Sequence, residues 1–270
     1  MAKRRLPLAV PKLTPYEVRL GELCALDLWY GIDYQTGDDI AVRDEVFLSN
    51  FGSSAAALYS GKSNSLNIPV QVFHEFVIVA GLKSQYQTSN GTDLANGISA
   101  FNAAVVPCYK SWRMKTTTLT AAELVTQAIL DWSPSFVKSY NNQAKQGNHR
   151  ISIACRFLFF AYPDFPVFNF SKALSESLIL QSRPQAAIIH FNKLMEKGMV
   201  TNRVLLAKTA MPQPTLMSLS LWKRAEKYGW WKRRVLDLAL LLHFRCISAR
   251  VELRLEARLL NLRKPKSKKI

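Results

Sequence analysis

The chain predicts a mainly α-helical fold, on three observations. Two capping boxes open segments of apolar helical periodicity, Thr14-Pro15-Tyr16-Glu17 with proline at the first helical position and Thr120-Ala121-Ala122-Glu123. Hydrophobic residues make up 49% and aromatic residues 11% of 270, enough to bury a core in one globule or in two packed helical subdomains. Residues 151–161 are apolar almost all round at helical spacing, which is the pattern of a helix that runs through a core.

The elements follow in order. The Thr14 box starts a helix carrying Leu20, Cys24 and Leu28. Asn67 followed by Pro69 starts another with Val72, Phe73, Phe76, Val77 and Ala80, although its β-branched content leaves a strand open. The Thr120 box leads through Leu124, Ala128 and Ile129, and Ser133-Pro134 begins a helix expected to stop at Gly147. In the core helix Ile151, Ala154, Cys155, Leu158 and Phe159 recur on one face, and Ile153, Phe157 and Phe160 widen it. Pro163 ends that helix and Pro166 biases Phe165 toward extended backbone, so Phe165-Pro166-Val167-Phe168 forms a stiff apolar turn. Asn169 is the first uncharged polar residue after it. Ser171 can cap a helix beginning near Lys172, which sets Asn169 just ahead of a helix N-terminus and its free N–H groups.

Further on, Ala186, Ile189, His190 and Leu194 share one face over residues 183–198, with Gly198 closing the helix. Residues 216–228 and 231–243 also read as helices. Residues 250–262 alternate apolar and charged side chains at strand period, but their Leu, Ala, Glu and Arg composition decides for helix. Residues 1–262 form a single domain in this reading, and residues 263–270 a basic tail.

The formal charge is +17 with a pI near 9.9, and residues 223–270 hold fifteen Lys or Arg against four Asp or Glu. A localised positive field favours a polyanion. An anionic membrane would also be attracted, but the apolar run at residues 235–244 is interrupted by Asp237 and closed by His243 and Arg245 well short of a bilayer span, so no membrane partner is expected. The basic start at residues 1–11 has too short an apolar portion, broken by Pro7 and Pro11, to act as a secretory leader. Cys24, Cys108, Cys155 and Cys246 give no paired spacing, so free thiols in a reducing cytoplasm are expected.

Several chemistries are excluded. His74, His149, His190 and His243 lack metal-ligand spacing, and neither a metal nor a cofactor is expected. Gly61-Lys62-Ser63 suggests a phosphate loop, but Ala56 stands where that motif needs glycine. No Gly-x-Ser-x-Gly elbow is present. Asn-x-Ser/Thr at Asn90 and Asn169 would matter only in a secreted chain. Trp222, Trp230 and Trp231 interleave with Lys223, Arg224, Lys227, Lys232, Arg233 and Arg234. Two readings fit that spacing: a stacking and phosphate-binding surface, or core-facing tryptophans with a solvated basic face.

The core helix and proline turn resemble the helix-hairpin-helix DNA glycosylase superfamily, and more closely its small bacterial and archaeal members with an 8-oxoguanine-DNA-glycosylase-like fold. Gly147-Asn148-His149-Arg150 stands where the hairpin of that family grips DNA backbone, Ile151 onward as its core helix, and Phe165-Pro166-Val167-Phe168-Asn169 as the turn that presents a catalytic aspartate. The resemblance covers residues 145–178. It departs from the family in carrying Asn169 at the aspartate position and only Gly147 of the glycine-x-glycine hairpin. Where lysine-using members hold their nucleophile the chain offers Arg150 or Arg156, whose guanidinium stays protonated, so a Schiff-base lyase is not implied.

The resemblance implies a monofunctional DNA glycosylase that flips a modified base and hydrolyses its N-glycosidic bond to leave an abasic site. Asn169 would orient the water, with Asp131 or Asp164 stabilising charge or assisting it. Gly147, Asn148, His149, Arg150 and Lys172 would contact phosphates. Trp29, Tyr30 and Trp132 are candidate base-stacking groups, with core packing as their competing role. The substrate would be a damaged purine or a bulky modified cytosine, such as glucosylated hydroxymethylcytosine, in phage DNA; the latter would make base excision an antiviral defence. The alternative is a non-catalytic duplex-DNA-binding protein that keeps the glycosylase architecture. A basic ribonucleoprotein component is a third reading, which leaves the apolar helix and its turn unexplained.

Overall fold

The computed structural model describes residues 9–39, 43–49, 65, 68–77, 91–133, 147–162, 165–168, 184–213, 223, 226–227 and 229–263. Along them run helices α1 (Pro15–Tyr30), α2 (Val70–Val77), α3 (Gly91–Met114), α4 (Ala121–Trp132), α5 (Gly147–Ala161), α6 (Pro184–Thr201), α7 (Arg203–Leu206), α8 (Trp230–His243) and α9 (Ala249–Arg263). A short helical segment occupies residues 44–49. The described residues contain no strand, only an isolated antiparallel bridge between Ile32 and Asp39. The mainly α class expected from the sequence is therefore observed.

Both capping boxes form. At α1 the Glu17 N–H donates to Thr14 Oγ1 at 3.1 Å and the Thr14 N–H donates to Glu17 Oε2 at 2.7 Å. At α4 the corresponding distances are 3.3 Å for Glu123 N–H to Thr120 Oγ1 and 2.8 Å for Thr120 N–H to Glu123 Oε2. Gly31, at φ 84°, ends α1 in the left-handed region, where a side chain would be strained, and returns its N–H to Asp27 and Leu28 carbonyls.

The two ambiguous segments resolve as helices. In α9 Val251, Leu255 and Leu259 are buried four residues apart while Leu253 and Ala257 are exposed, which is helical and not strand register. Helix α3 went unread in the sequence because Pro107 sits inside it. Pro107 and Ala103 are both exposed, so water can satisfy the carbonyl that loses its N–H partner. The helices expected to begin at Ser133 and near Lys172, and most of the one over residues 216–228, lie outside the described residues.

Packing radiates from two contacts. Helix α1 lies along α8 at close range because Gly21 has no Cβ; one there would stand 2.8 Å from Val235 O and from Ala239 N. Helix α5 forms the aromatic centre. Phe157 meets Phe73, Phe76, Phe101 and Trp132 at ring-centroid distances of 5.0 to 5.5 Å, and Phe160 meets Phe47 at 5.2 Å. The Phe157 contacts are edge-to-face and join α2, α3 and α4 to α5. Helix α9 is latched to α1 by Arg258, whose Nη1 lies 2.6 and 2.7 Å from the two oxygens of buried Asp27.

The basic tryptophan segment departs from both sequence readings. Trp230 and Trp231 are fully buried, as the core-facing reading expects, but Arg233 and Arg234 are buried with them. Arg234 Nε donates to Asp44 at 2.7 Å and its Nη1 to Asp237 at 3.3 Å. Burial opposes the charge on Arg234, yet Asp44 and Asp237 outweigh it and hold the guanidinium above its ordinary pKa. Trp222 and Arg224 lie outside the described residues. No helix among the described residues is long and apolar enough to cross a membrane.

Candidate functional site

The apolar turn after α5 is fixed from three sides. Its Phe165 ring sits against Trp112 at 5.0 Å and Tyr109 at 5.5 Å, both on α3, and its Phe168 ring meets Phe191 of α6 at 5.1 Å. The Val167 N–H donates to Phe165 O at 2.7 Å, which folds the backbone tightly between the two aromatic anchors. Apolar contact alone would leave the orientation of the peptide groups loose. Two buried polar side chains settle it.

Arg233, from α8, donates from Nη1 to Phe165 O at 2.6 Å, a charge-assisted bond in a buried site. Asn192, from α6, accepts the Phe168 N–H on Oδ1 at 3.1 Å. The Asn192 amide then donates to Thr126 Oγ1 on α4 at 3.2 Å, and the Thr126 hydroxyl donates to Ala122 O at 2.7 Å. A buried chain of bonds thus runs from α4 through α6 to the last described residue of the turn. Asn169 is the next residue in the sequence and lies outside the described residues.

The predicted catalytic and phosphate-contact residues fall into three groups. Asn169, Asp164 and Lys172 lie outside the described residues. Gly147, Asn148, His149 and Arg150 form the first turn of α5 and not a loop ahead of it. The backbone N–H groups of such a turn are suited to a phosphate. Asp131 is exposed on α4 and bound by Gln127 Nε2 at 2.8 Å. Five residues separate it from Thr126, which is about 140° around the helix, so it faces away from the turn. Its charge is felt instead by Cys108 of α3, whose thiol is pushed up by burial first and by Asp131 second.

The stacking roles expected of two tryptophans are corrected by their burial. Trp29 is enclosed by Trp230 and Trp231, and Trp132 packs on Phe101 at 4.7 Å while its indole N–H donates to Gly97 O at 3.1 Å. Both are 0% exposed and offer no face to a base. Tyr30, 48% exposed at the end of α1, is the one of the three with a ring open to a ligand.

Arg156, one turn above the end of α5, is a structural cation. Its guanidinium lies 5.8 Å from the centroid of the Phe47 ring, and its Nε is buried with no partner among the described residues. Burial draws its pKa below the ordinary value, against the pull of Asp44. Burial pushes the Cys24 thiol up to about 12, so it is no thiolate nucleophile. No group of three His, Cys, Asp or Glu side chains among the described residues is placed to hold a metal ion.

Sequence reasoning located the turn but missed Arg233 and Asn192. Each lies far along the chain from its partner, by 68 and 24 residues, and nothing local marks either. No family model, no curated protein and no solved structure matches the chain.

Proposed function

We propose that the protein is a monofunctional DNA glycosylase that takes a modified base out of the duplex and hydrolyses its N-glycosidic bond. The observation that carries the reading is the double anchoring of the turn ahead of Asn169 by Arg233 and Asn192. A connection between two helices needs no such precision, whereas a group that places a water does. In this reading the Asn169 carbonyl orients the water, the water oxygen bonds to C1′, and the base departs with the bonding electrons while a proton passes to solvent. The first turn of α5 and Lys172 meet phosphates, and Tyr30 stacks. The substrate class is a damaged purine or a bulky modified cytosine of phage DNA. The protein would then act in the cytoplasm without a cofactor.

The placement of Asp131 favours a second reading. Because it faces away from the turn, Asp164 alone of the two acidic candidates is left to assist Asn169. A protein that binds duplex DNA and releases no base would need neither.

The deciding experiment incubates the protein with plasmid DNA and with hypermodified phage DNA and counts abasic sites. Asn169→Ala is expected to abolish base release with duplex affinity nearly intact, and Arg150→Ala to weaken binding. Abasic sites on none of the substrates, with duplex binding retained, would leave the non-catalytic reading.

A further inference from the structure

The corner between α6 and α7 is a built, strongly cationic surface remote in sequence from the turn. Asn202 at this corner is 2% exposed and its side chain is committed: Oδ1 accepts the Leu13 N–H at 2.9 Å, and Nδ2 donates to Gly198 O at 3.1 Å and Pro11 O at 3.3 Å. These bonds tie the chain entering α1 onto the corner, so that Lys12, between Pro11 and Leu13, belongs to the same backbone frame as Asn202, the residue before Arg203. Below, the Ala210 N–H donates to Glu22 Oε1 at 2.8 Å, which holds the far end of the segment on α1.

On this frame Lys12, Lys197, Arg203 and Lys208 are all exposed. Val200 and Val204, between them, are 76% and 68% exposed. The carboxylates nearby do little to balance the four cations. Glu22 is buried and already bound by Arg19 at 2.5 Å, and Glu196 is half-buried one turn before Val200. Four like charges around two bare valines repel one another in water and gain from a partner that carries spaced anions with apolar surface between them. The phosphates and deoxyribose edges of a duplex have that alternation. A membrane surface fits less well, since two valines on a corner lack the long apolar face of an interfacial helix.

We propose that this corner is a duplex-DNA contact surface, with Lys12, Lys197, Arg203 and Lys208 on phosphates and Val200 and Val204 against the sugars between them. The proposal rests on the reading of the protein as DNA-binding and adds a partner surface to it. Ten residues of helix, about 15 Å, separate Asn192, which bonds the turn, from Asn202 at the corner, a span shorter than the roughly 34 Å of one duplex turn.

The test measures duplex affinity against salt for Lys197→Ser/Arg203→Ser/Lys208→Ser and for a control of equal charge loss, Arg43→Ser/Arg245→Ser/Arg250→Ser. The corner variant is expected to lose about tenfold or more in affinity and about 2–3 units from the slope of log K against log salt. The control should keep both nearly unchanged. Circular dichroism checks the fold, and Arg203→Gln alone, expected to remove about one slope unit, serves if the triple variant does not fold. Equal losses in the two triple variants, or an unchanged corner variant, overturn the proposal. So does a loss of binding to RNA or to phosphatidylserine vesicles that exceeds the loss for duplex. Failure of the wild-type chain to bind any duplex removes the DNA reading as well. Corner-dependent binding without base release removes the catalytic reading alone and leaves the corner standing.

Discussion

Asn192→Leu tests the anchoring of the turn directly. Asn192 is 1% exposed, and leucine, though bulkier, has the same number and branching of side-chain heavy atoms and offers no hydrogen bond. The Phe168 N–H, held at 3.1 Å in the wild-type chain, then stays buried beside apolar side chains with no acceptor. A buried donor left unsatisfied costs about 1–3 kcal/mol. Thr126 keeps its donation to Ala122 O but no longer accepts from the Asn192 amide, a further loss of about 0.5–1.5 kcal/mol. The expected destabilisation is about 2–4 kcal/mol.

Urea unfolding followed by circular dichroism reads this as a lower midpoint at unchanged slope, which marks a stability change and not an altered denatured state. Thr126→Val and the double variant complete a cycle, and because the two side chains are in contact their coupling should be about 0.5–1.5 kcal/mol. A loss under about 0.5 kcal/mol, the scatter of ordinary surface substitutions, would refute the reasoning, because the Phe168 N–H must then find another partner. The same variant bears on function. If the chain is the proposed glycosylase, base release by this variant should fall at a temperature where it remains folded, while duplex affinity holds.

Three further outcomes follow from the packing and the charges. Gly21→Ala sets a methyl 2.8 Å from Val235 O and Ala239 N, both backbone atoms, so α1 and α8 must separate; a loss of about 1–3 kcal/mol in thermal unfolding is expected despite alanine's better helix propensity. Arg234→Met leaves Asp44 and Asp237 buried without their shared cation and should cost about 3–5 kcal/mol, most of it recovered when both aspartates are also made leucine. Recovery by less than half would show that the ion cluster is not the cause. Burial raises the Glu17 carboxyl, but the Thr14 N–H, His243 and the Thr14 hydroxyl together hold it below its ordinary pKa. A depressed folded pKa contributes stability that is present above the usual carboxylate value of 4.5 and lost as pH falls through the folded value. The thermal midpoint of Glu17→Gln should therefore fall less steeply than that of the wild-type chain below that pH, and parallel curves would exclude the linkage.

What was legible in the sequence is what local geometry decides. Thr14 and Thr120 each announce a helix because the residues that cap it sit within one turn. The all-round apolar character of residues 151–161 is readable for the same reason, since burial on every side leaves a pattern in consecutive residues. Arg233 and Arg234 were not readable. In a run of Lys, Arg and Trp their neighbours suggest a solvated face, and the groups that make their burial tolerable, Phe165 O and Asp44, lie 68 and 190 residues away. Helix α3 was hidden by Pro107, whose helical cost is offset by tertiary contacts of Phe101, Val105 and Tyr109 that no local scale contains.

The anchoring of the turn bears on the choice between an enzyme and a simple binder. Phe165 and Phe168 are each 1% exposed, so aromatic packing already holds the connection in place. A buried guanidinium carries a desolvation cost, and a buried ion is often replaceable by an apolar side chain with no loss of stability. Its benefit is therefore in orientation more than in adhesion. Backbone contacts to phosphate tolerate displacements that water-mediated hydrolysis does not, because a reacting group must be held within about 0.5 Å of its productive position. A carbonyl pinned by Arg233 at one end of the turn and an N–H pinned by Asn192 at the other fix the peptide groups of residues 165–168 in both position and direction. That degree of constraint exceeds what a connection between two helices requires, and it is the ground on which the proposed hydrolysis is assigned to Asn169 and not to the exposed cations.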